Sequence, residues 1–190
     1  ENLLNEKYNQ TFRVNAIGER FGTLTNNTYK VQCYPAESPN DIFVAEVDKK
    51  GNNIYDDYVS VCVCQKLKKS IKDNLNDNSE ILVESRPSIT EETNRDISVE
   101  EFAENNDADF VVYAVTKENS DNFKKNFDLI AKMNGSINIE LRIYGDKSDE
   151  QLKKFKELSQ KSNQMNSEIK FLLDDVPQII KYEKGVVVGG

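Results

Sequence analysis

Apolar positions along this chain recur with two different periods, and the rhythm changes with position. In residues 2–9, Leu4 and Tyr8 lie one turn apart, which predicts a short helix. From residue 11 the period shortens to two: Phe12, Val14 and Ala16 alternate with polar neighbours, and residues 28–34 and 42–47 read as further strands. Gly18 and Gly22 punctuate the first connection. Asp48-Lys49-Lys50-Gly51-Asn52 is a turn signal with Gly placed for positive φ. Over residues 55–75 the apolar side chains Tyr55, Tyr58, Val59, Cys62, Val63, Leu67, Ile71 and Leu75 fall at three- and four-residue steps. That spacing predicts one long helix with Tyr58, Cys62, Leu67 and Ile71 packed on a sheet of residues 11–47.

The second half alternates. Residues 81–84 predict a short strand, and Ser98 with Glu101 makes a capping box that opens a short helix. Residues 110–115 are continuously apolar, as in a buried strand. Ser120 is expected to cap a helix carried by Phe123, Phe127, Ile130 and Ala131, with Gly135 at its end. Ile137, Ile139, Leu141 and Ile143 point one way along a strand expected beside residues 110–115. Ser148 with Gln151 is a second capping box, before a helix carried by Leu152, Phe155, Leu158 and Met165. Residues 169–173 read as a strand, and residues 179–188 as a hairpin about Lys184-Gly185. The expected fold is therefore α+β. An antiparallel sheet with one long helix fills residues 1–76, and an alternating strand and helix half with a mixed sheet fills residues 77–190.

Charge sharpens that division. Residues 1–76 are neutral overall, whereas residues 77–109 alone carry a net −9 within a chain of net −8. Few apolar residues lie between Val83 and Ile97 within this acidic stretch, which reads as a mobile connector or as a docking surface for a cationic protein partner. Glu91, Glu92, Glu100 and Glu101 are its candidate docking residues. The lysines Lys66, Lys68, Lys69 and Lys72 fall late in the long helix, where its dipole favours cations. With no Arg cluster beside them, they read as a solvated face and not as a nucleic-acid surface.

Composition removes much chemistry. The 190 residues include no His, hence none of the commonest general bases and zinc ligands. An enzyme would have to run on carboxylates, Lys, Tyr or Cys, and the sequence weighs against one. Adjacent carboxylates, as at Asp56-Asp57 and Asp174-Asp175, arise by chance in a chain with 33 acidic residues. No calcium loop and no phosphate-binding Gly motif appears, so no cofactor is expected. Cys33, Cys62 and Cys64 have neither disulfide-framework nor zinc spacing. On a helix, Cys62 and Cys64 would point about 200° apart, so they are not expected to bridge each other. The expectation is buried thiols, at least one of this pair among them, and the alternative is one disulfide from Cys33 to either.

No run of 18 apolar residues occurs, so membrane attachment is expected only through a segment outside this chain. The opening Glu1-Asn2-Leu3-Leu4, with no initiator Met, leads to the same expectation of a missing targeting or anchoring segment. Glu6-Lys7-Tyr8, Phe12-x-Val14, Asp48-Lys49-Lys50-Gly51 and Ile54-Tyr55-Asp56-Asp57-Tyr58 together give residues 5–75 a pattern. It resembles that of uncharacterised, N-terminally anchored proteins and lipoproteins of low-GC Gram-positive bacteria. The resemblance implies an extracytoplasmic setting and brings no activity or site residues. The functional expectation is a non-enzymatic, extracytoplasmic, membrane-proximal interaction or structural domain. The alternatives are a cytoplasmic regulatory or adaptor protein without cofactor, and a small-molecule or metal-binding module.

Overall fold

The computed structural model describes residues 1–17, 28–75 and 78–190, and there the two rhythms become two sheets. Helix α1 (Asn2–Tyr8) precedes strands β1 (Phe12–Ile17), β2 (Thr28–Pro35), β3 (Phe43–Asp48) and β4 (Ile54–Asp56). These four pair in chain order, all antiparallel. Helix α2 (Tyr58–Asn74) leads to β5 (Glu80–Arg86), α3 (Val99–Asn106), β6 (Asp109–Val115), α4 (Ser120–Met133) and β7 (Ile139–Tyr144). Helices α5 (Asp149–Ser162) and α6 (Ser167–Leu173) and the hairpin β8 (Gln178–Glu183), β9 (Val186–Gly189) complete the chain. The second sheet has the order β5-β6-β7-β8-β9, and β6 with β7 is its parallel pair. The fold is α+β, with one antiparallel and one mixed sheet. The expected Gly18 and Gly22 turn lies outside the described residues.

By its internal contacts the chain forms two compact units. The first comprises Glu1–Cys62 and Ser88–Asp96, the second Val63–Pro87 and Ile97–Gly190. Helix α2 gives its opening turn to the first unit and the remainder to the second. Leu67 and Ile71, expected over the first sheet, belong to the second unit.

The first unit has an aromatic core. Phe12 is fully buried, and its ring centroid lies 5.0 Å from Tyr58, 5.5 Å from Phe43 and 5.7 Å from Tyr8. All three contacts are edge-to-face, the arrangement that ring quadrupoles favour.

In the second unit β6 is buried on both faces, which explains its unbroken apolar run. Val111, Tyr113 and Val115 join Leu82 against Leu152, Phe155 and Leu158 of α5 and Ile169 and Leu173 of α6. On the opposite face Phe110 meets Phe102 of α3, and Tyr182 of β8 meets Phe127 of α4. Helices α4 and α5 therefore follow the two parallel strands onto opposite faces. The edge strand β9 leaves Val186, Val187 and Val188 exposed. At the β8–β9 turn Gly185 has φ +77°, and a Cβ there would lie 2.9 Å from the Ala131 carbonyl oxygen.

Three local expectations are corrected. Residues 54–56 are strand and not the first turn of the long helix: Ile54 pairs with Val47 and Asp56 with Ala45. The turn at Asp48 to Asn53 closes a hairpin, and a hairpin needs a second strand. Residues 169–173 are helix and not strand. The Asn166 side chain accepts from the Ile169 N–H, and Ile169 and Leu173, four apart, are the buried pair. Helix α4 is capped by Asn119, whose side chain accepts from the Asn122 N–H, one residue before the expected Ser120. The two other expected caps, Ser98 and Ser148, stand where the sequence put them.

Candidate functional site

The end of α1 is set by Asn9, which adopts a left-handed conformation (φ 48°, ψ 44°) that a short polar side chain tolerates. This turns the chain sharply into β1. Residues 8–11 thereby become one wall of an open groove of about 600 Å³ in the first unit. Ala36 and Glu37, just past β2, form a second wall, and Thr93, Asn94 and Arg95 a third. The third wall is held by its own turn: Glu92 Oε1 accepts from the N–H groups of Thr93 and Asn94, and Asn94 Oδ1 accepts from Asp96 N–H.

The groove's floor is a closed set of hydrogen bonds. Glu37 Oε1 accepts from Arg95 Nη1 at 2.9 Å and from Gln10 Nε2 at 2.7 Å. Gln10 Oε1 accepts from Arg95 Nη1 at 2.9 Å and from the Tyr58 hydroxyl at 3.0 Å. Behind it, buried Asp56 accepts from Lys7 Nζ at 2.8 Å, the Tyr8 hydroxyl at 2.7 Å and the Tyr58 N–H at 3.1 Å. Burial first, and the Asp56 charge second, push the Tyr8 phenol well above its ordinary range, so it remains a neutral donor. Burial likewise raises Tyr58. The Arg95 guanidinium is held charged by its hydrogen bonds to Tyr58 and then to Glu37. Lys7, Tyr8, Phe12, Asp56 and Tyr58, which carry much of the sequence resemblance, thus form one internal network.

The rim is different. The side chains of Asn9, Thr11 and Thr93 make no hydrogen bond among the described residues, and Asn94 uses only its Oδ1. Three neutral polar groups and one amide nitrogen are therefore open to a ligand.

A second location has the topology of a ligand crevice. In open α/β sheets, ligands bind beyond the carboxyl ends of strands whose following helices pack on opposite faces, which is the situation of β6 and β7. Here that crevice is filled by its own loops. Asp146 N–H donates to the Glu118 carbonyl and Lys147 N–H to the Thr116 carbonyl, both at 3.0 Å. A Cβ on Gly145 would sit 2.8 Å from Ser120 Oγ. Asn119 and Ser148 side chains occupy amides of the two helix N-termini that an anion would need. Lys147 is buried, donates to the Leu173 carbonyl oxygen and pairs with Asp175.

The expected docking residues fall in both units. Glu91 and Glu92 lie in the Ser88–Asp96 segment, whereas Glu100 and Glu101 occupy the first turn of α3. Glu92 serves its turn, and Glu100 and Glu101 sit where a helix favours negative charge. Among the described residues no group of His, Cys, Asp and Glu has metal-site geometry, and no helix is long and apolar enough to cross a membrane. All three cysteines are thiols; Cys33 and Cys64 are buried and Cys62 partly so. Gln10, Glu37 and the open rim were not singled out from sequence. The available signal was Arg95, one of only two cations in an acidic stretch, which suggests a side chain with an internal partner.

No protein-family model matches the chain, and no curated protein matches it. Its fold does resemble a solved structure, a DUF5037 family protein from Ruminococcus gnavus ATCC 29149. The two superpose with a TM-score of 0.66 at 14% identity, over 96% of this chain and 89% of the other. At that identity the likeness shows that the two chains share a fold.

Proposed function

We propose that the protein is a non-enzymatic, membrane-proximal interaction domain displayed outside the cytoplasm, and that it engages its ligand through the groove of the first unit. The observation that carries this reading is the division of labour in the groove. Its titratable groups, Glu37, Arg95 and the phenols of Tyr8 and Tyr58, are tied to one another or to Gln10 and Asp56. Catalysis by a general base or nucleophile needs such a group aimed at substrate. Here neutral amides and hydroxyls are left for contact, on a floor whose geometry is already fixed. Pre-organisation of that kind serves binding. The extracytoplasmic part of the reading is supported by the resemblance of residues 5–75.

Two measurements test it. A membrane-impermeant amine reagent should label the native protein on intact cells. Cell-envelope fractions should raise the melting temperature of the wild-type protein but not of Thr93→Val with Asn94→Ala. Recovery of the protein only from the cytosol, with no fraction shifting its melting, would overturn the proposal.

A further inference from the structure

The composition of the groove narrows the ligand class, given the reading of the groove as a binding site. We infer that it takes a neutral saccharide. Among the nine lining residues the charged side chains are Glu37 and Arg95, which pair at 2.9 Å. The lining therefore carries no net charge and gives neither an anion nor a cation a net attraction. What it offers at the rim are groups able both to donate and to accept: the Asn9 amide and the Thr11 and Thr93 hydroxyls, with Asn94 Nδ2 as a further donor. A ligand matching them must present many uncharged donors and acceptors at short intervals, as sugar hydroxyls do.

The shape of the groove favours a sugar over a peptide. An extended peptide gains affinity from a backbone ladder on a strand edge and from apolar pockets for alternate side chains. This groove is walled by the end of a helix, a strand exit and a loop, and Ala36 is its sole aliphatic residue. Its aromatic wall is Tyr8, fixed edge-on against Phe12 and Tyr58 and by its hydroxyl to Asp56. Lys7 Nζ lies over that ring, 5.0 Å from its centroid, so the contacts to a sugar fall to the hydroxyls and amides of the rim. The volume of about 600 Å³ lies within the usual range for small-molecule sites and leaves room for more than one ring.

The test is titration of the full chain with neutral tetrasaccharides of glucose, mannose and N-acetylglucosamine, beside a uronic acid tetramer and a Ser/Gly tetrapeptide. Binding is followed by calorimetry and by amide NMR. At least one neutral sugar should bind in the micromolar to millimolar range, shifting the Asn9, Gln10 and Asn94 side-chain amides. Its affinity should be nearly unchanged by salt. Thr93→Val and Thr11→Val should each weaken it about tenfold, as expected for loss of one hydrogen bond to ligand, with the urea midpoint unchanged. Binding of the tetrapeptide or the uronic acid alone, at the same amides, would overturn the saccharide assignment and leave the groove a binding site. Sugar binding that ignores both variants would overturn the assignment to this groove. If nothing in the set binds and no envelope fraction stabilises the protein, both this inference and the binding-domain reading fall.

Discussion

Phe12 shows how much of the first unit's stability hangs on one side chain. Its ring is fully buried and meets three others edge-to-face, so truncation leaves a cavity with rigid aromatic walls. Phe12→Ala should cost about 3–5 kcal/mol, read as a lower urea midpoint. Asp128 tests electrostatics at the same scale. Burial would raise its carboxyl, but hydrogen bonds from Lys124 and Tyr182 outweigh that and hold it below the ordinary carboxylate value. A depressed folded pKa means that the unfolded chain binds the proton first as pH falls. The stabilisation is therefore complete above about pH 4, the unfolded Asp value, and is lost as pH falls through the lower folded value. Asp128→Asn should destabilise the protein at pH 7, and the gap from wild type should close as urea unfolding is repeated towards pH 2.

Among the elements, α6 separates two readings of the same residues. Ile169, Phe171 and Leu173 alternate like a strand, yet Phe171 is 85% exposed while Ile169 and Leu173 are buried. In a strand all three would share a face; in a helix only residues 169 and 173 do. Asn166→Ala, which removes the cap on the Ile169 N–H, should destabilise by about 1 kcal/mol in denaturant titration. A strand would be indifferent to that change. The signal was present, since Asn166 followed by Ser167 and Glu168 is helix-start chemistry, but a five-residue stretch with four apolar side chains is too short for period alone to decide. The same competition hid β4, where Tyr55 fitted the helical spacing of α2 although the turn before it demanded a returning strand. Longer patterns were legible: β6, β7 and the caps at Ser98 and Ser148 follow directly from their residues. The groove was not legible, because Gln10, Glu37 and Arg95 are far apart in sequence and meet only through tertiary structure. Pattern reading finds faces of elements, and this site is made where elements end.

For the whole molecule, charge is the property that the sequence states best. Residues 77–109 carry a net −9 in a chain of net −8, and a cationic protein partner remains the proposal that this supports. Changing Glu91, Glu92, Glu100 and Glu101 to Gln should slow association with such a partner, measured by stopped flow at low ionic strength. The difference should shrink near 0.15 M salt, where the screening length is about 8 Å. Equal rates for both proteins at every salt concentration would remove the stretch from recognition. Sugar binding in the groove should be insensitive to the same changes in salt, so the two modes of recognition separate in one pair of titrations. The division of the chain has a last consequence, in the order of synthesis. The first unit takes Glu1–Cys62 from the start of the chain and Ser88–Asp96 from beyond Pro87. A nascent chain that has reached Pro87 holds two walls of the groove and lacks Thr93, Asn94 and Arg95. The strands of the first sheet are therefore all synthesised before the groove's third wall, and the proposed binding role predicts that a product ending before Thr93 does not bind ligand, however well its first sheet has folded.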